Sequence, residues 1–160
     1  MAAGWQAENP TDAVFVHHLG DLAAARRDWP RAEALYRAVL ALQPRNGEAM
    51  NNVAWLLATQ HKPGAAAMAE QAVALLPNRA SLLDTLAMAQ ESEGQLPQAI
   101  ETQKRAAAQD ARSPMLRLRL AQLLVKQGDR SGARKELQAL AKLGSGFSGQ
   151  AEVTALLNGL

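Results

Sequence analysis

The sequence predicts an all-helical solenoid. Three observations carry this: a repeat of about 34 residues, a column of small residues running through it, and a composition rich in strong helix formers. Leu19, Val53, Leu86 and Leu120 stand 34, 33 and 34 residues apart, and Ala32, Ala65, Ala99 and Ala133 stand 33, 34 and 34 apart. Pro10, Pro44 and Pro77 repeat steps of 34 and 33. Apolar residues make up 48% of the 160 and aromatics only 4%, so the core has to be built from small and aliphatic side chains. A chain of this length can bury one continuous core across stacked layers as a single domain.

Small residues are needed where two helices approach closely. Gly20, Ala54, Ala87 and Ala121 serve in the first helix of each unit, and the Ala32 column serves in the second. Larger residues (Leu19, Tyr36, Val39, Leu57, Leu124, Leu137, Leu140) fill the spaces between layers. The first unit, 13–46, takes helices over 12–26 and 29–42, with Arg27-Asp28 at a turn where glycine is usual. Pro44 closes it, because proline cannot continue a helix. The second unit, 47–79, takes helices over 46–60 and 64–76. It is one residue short near His61-Lys62-Pro63-Gly64, which predicts a tighter or differently shaped turn.

The third unit, 80–113, takes helices over 79–93 and 96–109 around Gly94, where a left-handed turn is cheap for glycine. Gln90 and Gln103 replace apolar residues in it, which predicts the loosest layer. The fourth, 114–145, takes helices over 113–127 and 130–142 around Gly128; Ala111 and Ser145 stand where closing prolines are expected. A Gly144-Ser145-Gly146 link leads to a capping helix within 146–160, near 148–158, whose Val153, Leu156 and Leu157 cover the open end of the array. Residues 1–12 read as the remnant of an upstream repeat helix, since Trp5 precedes Pro10 by the same interval as Val39 precedes Pro44. On that reading the chain is an excerpt of a longer repeat protein, and an apolar face around Trp5 favours self-association through exposed repeat ends.

Cysteine is absent, which excludes disulfides and thiol chemistry. No apolar run qualifies as a signal peptide or a membrane span. Residues 1–100 hold 7 Lys/Arg against 10 Asp/Glu, and residues 101–160 hold 10 against 5. The basic end includes Arg112, Arg117, Arg119, Lys126, Arg130, Arg134 and Lys135, open to reading as a solvated surface, a site for an acidic protein, or a nucleic-acid or lipid patch. Without aromatic interleaving, and with cations scattered over several faces, no nucleic-acid partner is expected. There is no Gly-rich phosphate loop, nucleophile elbow or convincing carboxylate pair, so neither an enzyme nor a cofactor is expected. His17 and Asp21, four apart on one helical face, suit two metal ligands, but no third is evident and no metal site is expected.

These columns resemble the tetratricopeptide repeat (TPR) family over nearly the whole chain. The resemblance implies a right-handed superhelix of about four helix-turn-helix units plus a C-terminal capping helix, serving as a non-catalytic scaffold for protein–protein interaction. It also implies that the first helices line a concave groove. By register the lining is His17, His18 and Asp21, then Asn51, Asn52 and Trp55, then Asp84, Thr85 and Met88, then Leu118, Arg119 and Gln122. Asn52, Thr85 and Arg119 share a column in which asparagine often bonds the main chain of a bound peptide. Trp55 suits either an anchor for a partner or packing on the neighbouring unit. Arg119 suits either a ligand carboxylate or a solvated charge. TPRs that clamp a chaperone C-terminus use lysine and asparagine where His17 and Asp21 stand, so that activity is not expected.

A narrower likeness lies in Met50-Asn51-Asn52-Val53-Ala54-Trp55-Leu56-Leu57-Ala58, in Ala69 to Asn78, in Leu83-Asp84-Thr85-Leu86, and in Gly128 to Leu137 with Phe147, Ala151 and Glu152. Over about 40–160 the chain is similar to the C-terminal repeats of PEP-CTERM-system TPR lipoproteins, associated with exosortase and exopolysaccharide genes. That similarity implies a bacterial envelope scaffold, periplasmic or at the outer membrane and lipid-anchored upstream; without it a cytoplasmic location stands. A spacer within a longer array and a polysaccharide-contacting module remain as alternatives, though sugar grooves usually present several aromatics.

Overall fold

The computed structural model describes residues 12–160. Among them lie nine α-helices and no strand: α1 Ala13–Ala25, α2 Trp29–Leu42, α3 Gly47–Thr59, α4 Ala65–Leu75, α5 Ala80–Ser92, α6 Leu96–Gln109, α7 Pro114–Gln127, α8 Arg130–Ala141 and α9 Gln150–Gly159. A short 3-10 turn, Gly144–Gly146, precedes α9. Each helix begins and ends within two residues of its expected span. The remnant helix expected around Trp5 and Pro10 lies outside the described residues.

Local chemistry sets most of the starts. Asp12, Asp28, Asn46 and Asp129 each accept a hydrogen bond from a backbone N–H three residues on, which satisfies donors that the first helical turn leaves free. Pro30, Pro97 and Pro114 occupy first-turn positions, where a missing N–H costs nothing. Helix α4 has no such cap of its own. Glu93, in the turn of the following unit, reaches back and accepts from Ala66 N at 3.2 Å.

The four turns inside the units share one closure. Asp28, Lys62, Gln95 and Asp129 donate their backbone N–H to the carbonyls of Ala23, Leu57, Gln90 and Leu124, at 2.8–3.0 Å. Each closure needs a left-handed residue just before it, and Arg27, His61, Gly94 and Gly128 supply one, with φ of 59°, 51°, 78° and 85°. Arg27 and His61 therefore adopt the glycine conformation at a cost of about 1 kcal/mol each. Of the two forms expected for the second unit's turn, tighter or differently shaped, the structure has the second. Its turn is not tighter: His61 closes it like the others, Pro63-Gly64 then lengthens it, and the shortfall falls on α4, the shortest of the repeat helices at 11 residues.

The core follows the columns. The Leu19 column, the Ala32 column and Ala54, Ala87 and Ala121 are all buried. Gly20 is smaller than its equivalents because the Tyr36 ring lies on it; a Cβ there would come within 2.6 Å of Tyr36 Cε1. Layers join through α2 on α3, α4 on α5 and α6 on α7, and α3 also packs directly on α5.

Gln103 is fully buried in the third layer. Its amide donates to Asp84 Oδ1 at 2.8 Å and to the Leu116 carbonyl at 3.0 Å, pinning α5, α6 and α7 together. The buried Oε1 atoms of Gln90 and Gln103 have no hydrogen-bond partner among the protein groups around them. At the C-terminal end, Phe147 and Val153 seal Leu118, Leu137 and Leu140. Gln150 caps the last carbonyls of α8, and Arg130 at the start of α8 donates to the last carbonyls of α9, so the two helices cap each other. Among the described residues no helix is long and apolar enough to cross a membrane.

Candidate interaction surface

Helices α1, α3, α5 and α7 present equivalent faces along the array, and the residues on them meet mainly across the junctions between units. At the first junction the His17 ring stands edge-on to Tyr36, with centroids 5.4 Å apart. His17 Nε2 lies 2.9 Å from Asn52 Nδ2, a hydrogen bond donated by Asn52 when the imidazole proton sits on Nδ1. Tyr36 donates its hydroxyl proton to Asp21 Oδ1 at 2.8 Å, and that same oxygen is 3.8 Å from His17 Nε2. His17, Asp21 and Asn52 thus form one network, completed by a tyrosine that the sequence pattern assigns to packing alone.

Burial pushes the Tyr36 phenol well above its ordinary value near 10, the Asp21 carboxylate raises it further, and Asn52 opposes the shift. The fold therefore favours the neutral phenol. That stability is fully present below pH 10 and is lost as pH climbs from there towards the raised folded value. Tyr36 is the sole tyrosine, so its near-ultraviolet absorbance reads the site directly. Tyrosinate is expected to appear together with loss of helical circular dichroism; tyrosinate forming in a fully helical chain would contradict the buried network. Tyr36→Phe should flatten this alkaline dependence while costing about 1 kcal/mol at neutral pH.

The other junctions differ. Asp84 lies 3.7 Å from Arg119, whose guanidinium also stands 3.8 Å from Glu91, and Glu91 in turn pairs with Lys126. Between these, Thr85 is buried and donates to the Ser81 carbonyl on its own helix, while the buried Asn51 Oδ1 has no partner. Gln122 bonds Glu152 on α9. Leu118 does not line a groove: it is buried beneath Phe147 and Val153 in the terminal core. His18 is exposed, and Met88 packs against the main core.

Trp55 combines its two expected roles. Its ring meets Trp29 edge-on at 5.6 Å, and it is still 36% exposed. One turn further along α3, Ala58 and Thr59 line an open recess with Met88 and Ser92, rimmed by Glu91 and Lys126. Trp29 is the residue that sequence reasoning missed here; its place beside the tightly turned Arg27-Asp28 was the available signal. Among the described residues no three His, Asp or Glu side chains converge to hold a metal ion.

Two family models described as tetratricopeptide repeat match residues 18–81 and 92–157, so the chain is built of tetratricopeptide repeats. No curated protein matches it. Among solved structures, MamA (residues 41 to the end) from Desulfovibrio magneticus RS-1 superposes with a TM-score of 0.82 at 22% identity, covering 92% of this chain and 84% of its own. The thermophilic TPR protein TTC0263 of Thermus thermophilus gives 0.80 at 17%, covering 98% and 87%. YrrB, described as a TPR protein with an unusual peptide-binding site, gives 0.76 at 18%, covering 98% and 80%. At these identities the likeness is one of fold, that of a right-handed TPR superhelix. Proteins built this way commonly bind protein or peptide partners.

Proposed function

We propose that this chain is a non-catalytic scaffold that holds a segment of a protein partner on its concave surface, with Trp55 as the anchor. The observation that carries the proposal is the exposed part of the Trp55 ring, braced by Trp29 beside an apolar recess. A pre-positioned aromatic contributes contact area at little ordering cost, as binding hot spots require. The peptide-binding site described for YrrB supports a peptide as the occupant. The likeness of residues 40–160 to exosortase-associated lipoproteins supports the narrower reading of an envelope scaffold in an exopolysaccharide system, periplasmic or at the outer membrane.

A second reading, a spacer without a ligand of its own, draws on a different observation. His17 with Asn52, and Asp84 with Arg119, use groove side chains to tie units together. Affinity capture with the chain, read by mass spectrometry beside a Trp55→Ala variant of unchanged melting temperature, separates the two. A protein held by the first and lost by the second supports the anchor. Identical or empty captures favour the spacer.

A further inference from the structure

The cations of the basic half fall into two populations once their partners are traced. Arg117 meets Glu136 at 3.1 Å, Arg119 lies between Asp84 and Glu91, and Lys126 pairs with Glu91. Arg130 is committed to the carbonyl oxygens of Gly159 and Leu160. Arg105, Arg112, Arg134, Lys135 and Lys142 are all exposed with neither an ion pair nor a side-chain hydrogen bond, and of these only Arg134 and Lys135 stand side by side on α8.

These two cations share one face. Ser131, Arg134, Lys135 and Gln138 follow the i, i+3, i+4, i+7 pattern of a single helical stripe, away from the buried Ala133, Leu137 and Leu140. No carboxylate of α8 is free to neutralise it: Glu136 is taken by Arg117, and the preceding Asp129 caps the helix through Gly132 N. The stripe is also not flat. With Arg130 and Leu160 it lines an open recess between α8 and the end of α9.

We propose that this recess is a docking site for an acidic segment of a partner protein, distinct from the surface around Trp55. Arg134 offers a planar fork suited to a carboxylate, and Lys135 adds a point charge. Ser131 and Gln138 supply uncharged hydrogen bonds, and Leu160 an apolar contact. The net charge of +5 carried by residues 101–160 would speed the approach of such a segment. A nucleic acid fits less well, because its affinity needs many phosphate contacts or stacking aromatics and this stripe has neither. A membrane fits less well too: lipid-binding clusters carry about 4–8 cations, and a recess withdraws these few from a planar surface.

The test uses a fluorescein-labelled helical peptide with glutamates at alternating spacings of three and four, beside its glutamine counterpart. Binding is followed by anisotropy, and contacts are located by carbodiimide coupling of peptide carboxylates to lysine. The glutamate peptide should bind in preference, couple to Lys135, and bind Trp55→Ala as well as the parent chain. Arg134→Glu/Lys135→Glu should weaken it about ten-fold or more, and the milder Arg134→Gln/Lys135→Gln should give a smaller loss at unchanged melting temperature. Equal binding of the glutamine peptide overturns the proposal, as does unchanged binding by either double variant. Coupling confined to Lys62, Lys104, Lys126 or Lys142 overturns it as well. So does preferential binding of duplex DNA or phosphatidylserine vesicles that is lost in the charge-reversal variant. Because Trp55→Ala leaves the recess intact, failure here and failure of the anchor at Trp55 are separately visible.

Discussion

Ala99→Trp is expected to destabilise the chain by about 3 kcal/mol or more, a large share of the roughly 5–15 kcal/mol that holds a domain together. Ala99 has no exposed surface and sits in α6 among Ile100, Leu120, Leu123, Leu124 and Ala133. Its equivalents Ala32, Ala65 and Ala133 are equally buried, because the second helix of each unit comes closest to its neighbours along this column. An indole there must push α6 away from its partners. Since each unit contacts only its neighbours, the damage should stay local. Urea unfolding should show the lower midpoint, and hydrogen exchange should show α5 to α8 losing protection before α1 to α3. An unchanged midpoint would remove Ala99 from the close contact and with it the register of the array.

Truncation after Phe147 should be of similar size, about 4 kcal/mol, and should act at one end. It deletes the fully buried Val153 and the partly buried Leu156, Leu157 and Leu160, and burial of one such side chain contributes about 1.5–3 kcal/mol as an upper estimate. It also removes the Gln150 bonds to the Leu140 and Ala141 carbonyls and uncovers Leu118, Leu137 and Leu140. Helices α7 and α8 should lose exchange protection first, with α1 to α3 unaffected. Uniform loss along the chain would contradict a nearest-neighbour array.

The helices and the packing columns were legible because they rest on spacing, and spacing along a helix decides which residues share a face. The turns were less legible. Glycine at positions 94 and 128 announces a left-handed residue, but Arg27 and His61 take the same conformation without announcing it, held by the Asp28 and Lys62 closures. The position where the second unit is one residue short marks its turn as unusual, but spacing does not show that the common closure persists there and that α4 is the shortened element.

The candidate surface divides in the same way. Register alone assigned His17, Asp21, Asn51, Asn52, Trp55, Asp84, Thr85, Met88, Arg119 and Gln122 to one face of the first helices. It did not reveal that Thr85 turns back to Ser81, that Leu118 lies under the terminal core, or that Tyr36 closes the His17–Asp21–Asn52 network. Nor did counting charges separate the paired Arg117, Arg119 and Lys126 from the unpaired Arg134 and Lys135. The sequence by itself determined the repeat, its helices and the columns that pack between them, since these follow from local backbone geometry and the volumes of side chains at fixed intervals. Only the tertiary structure decided which faces stay open and which charges stay unpaired, because both depend on groups some 20 to 35 residues away that packing brings within a few ångströms.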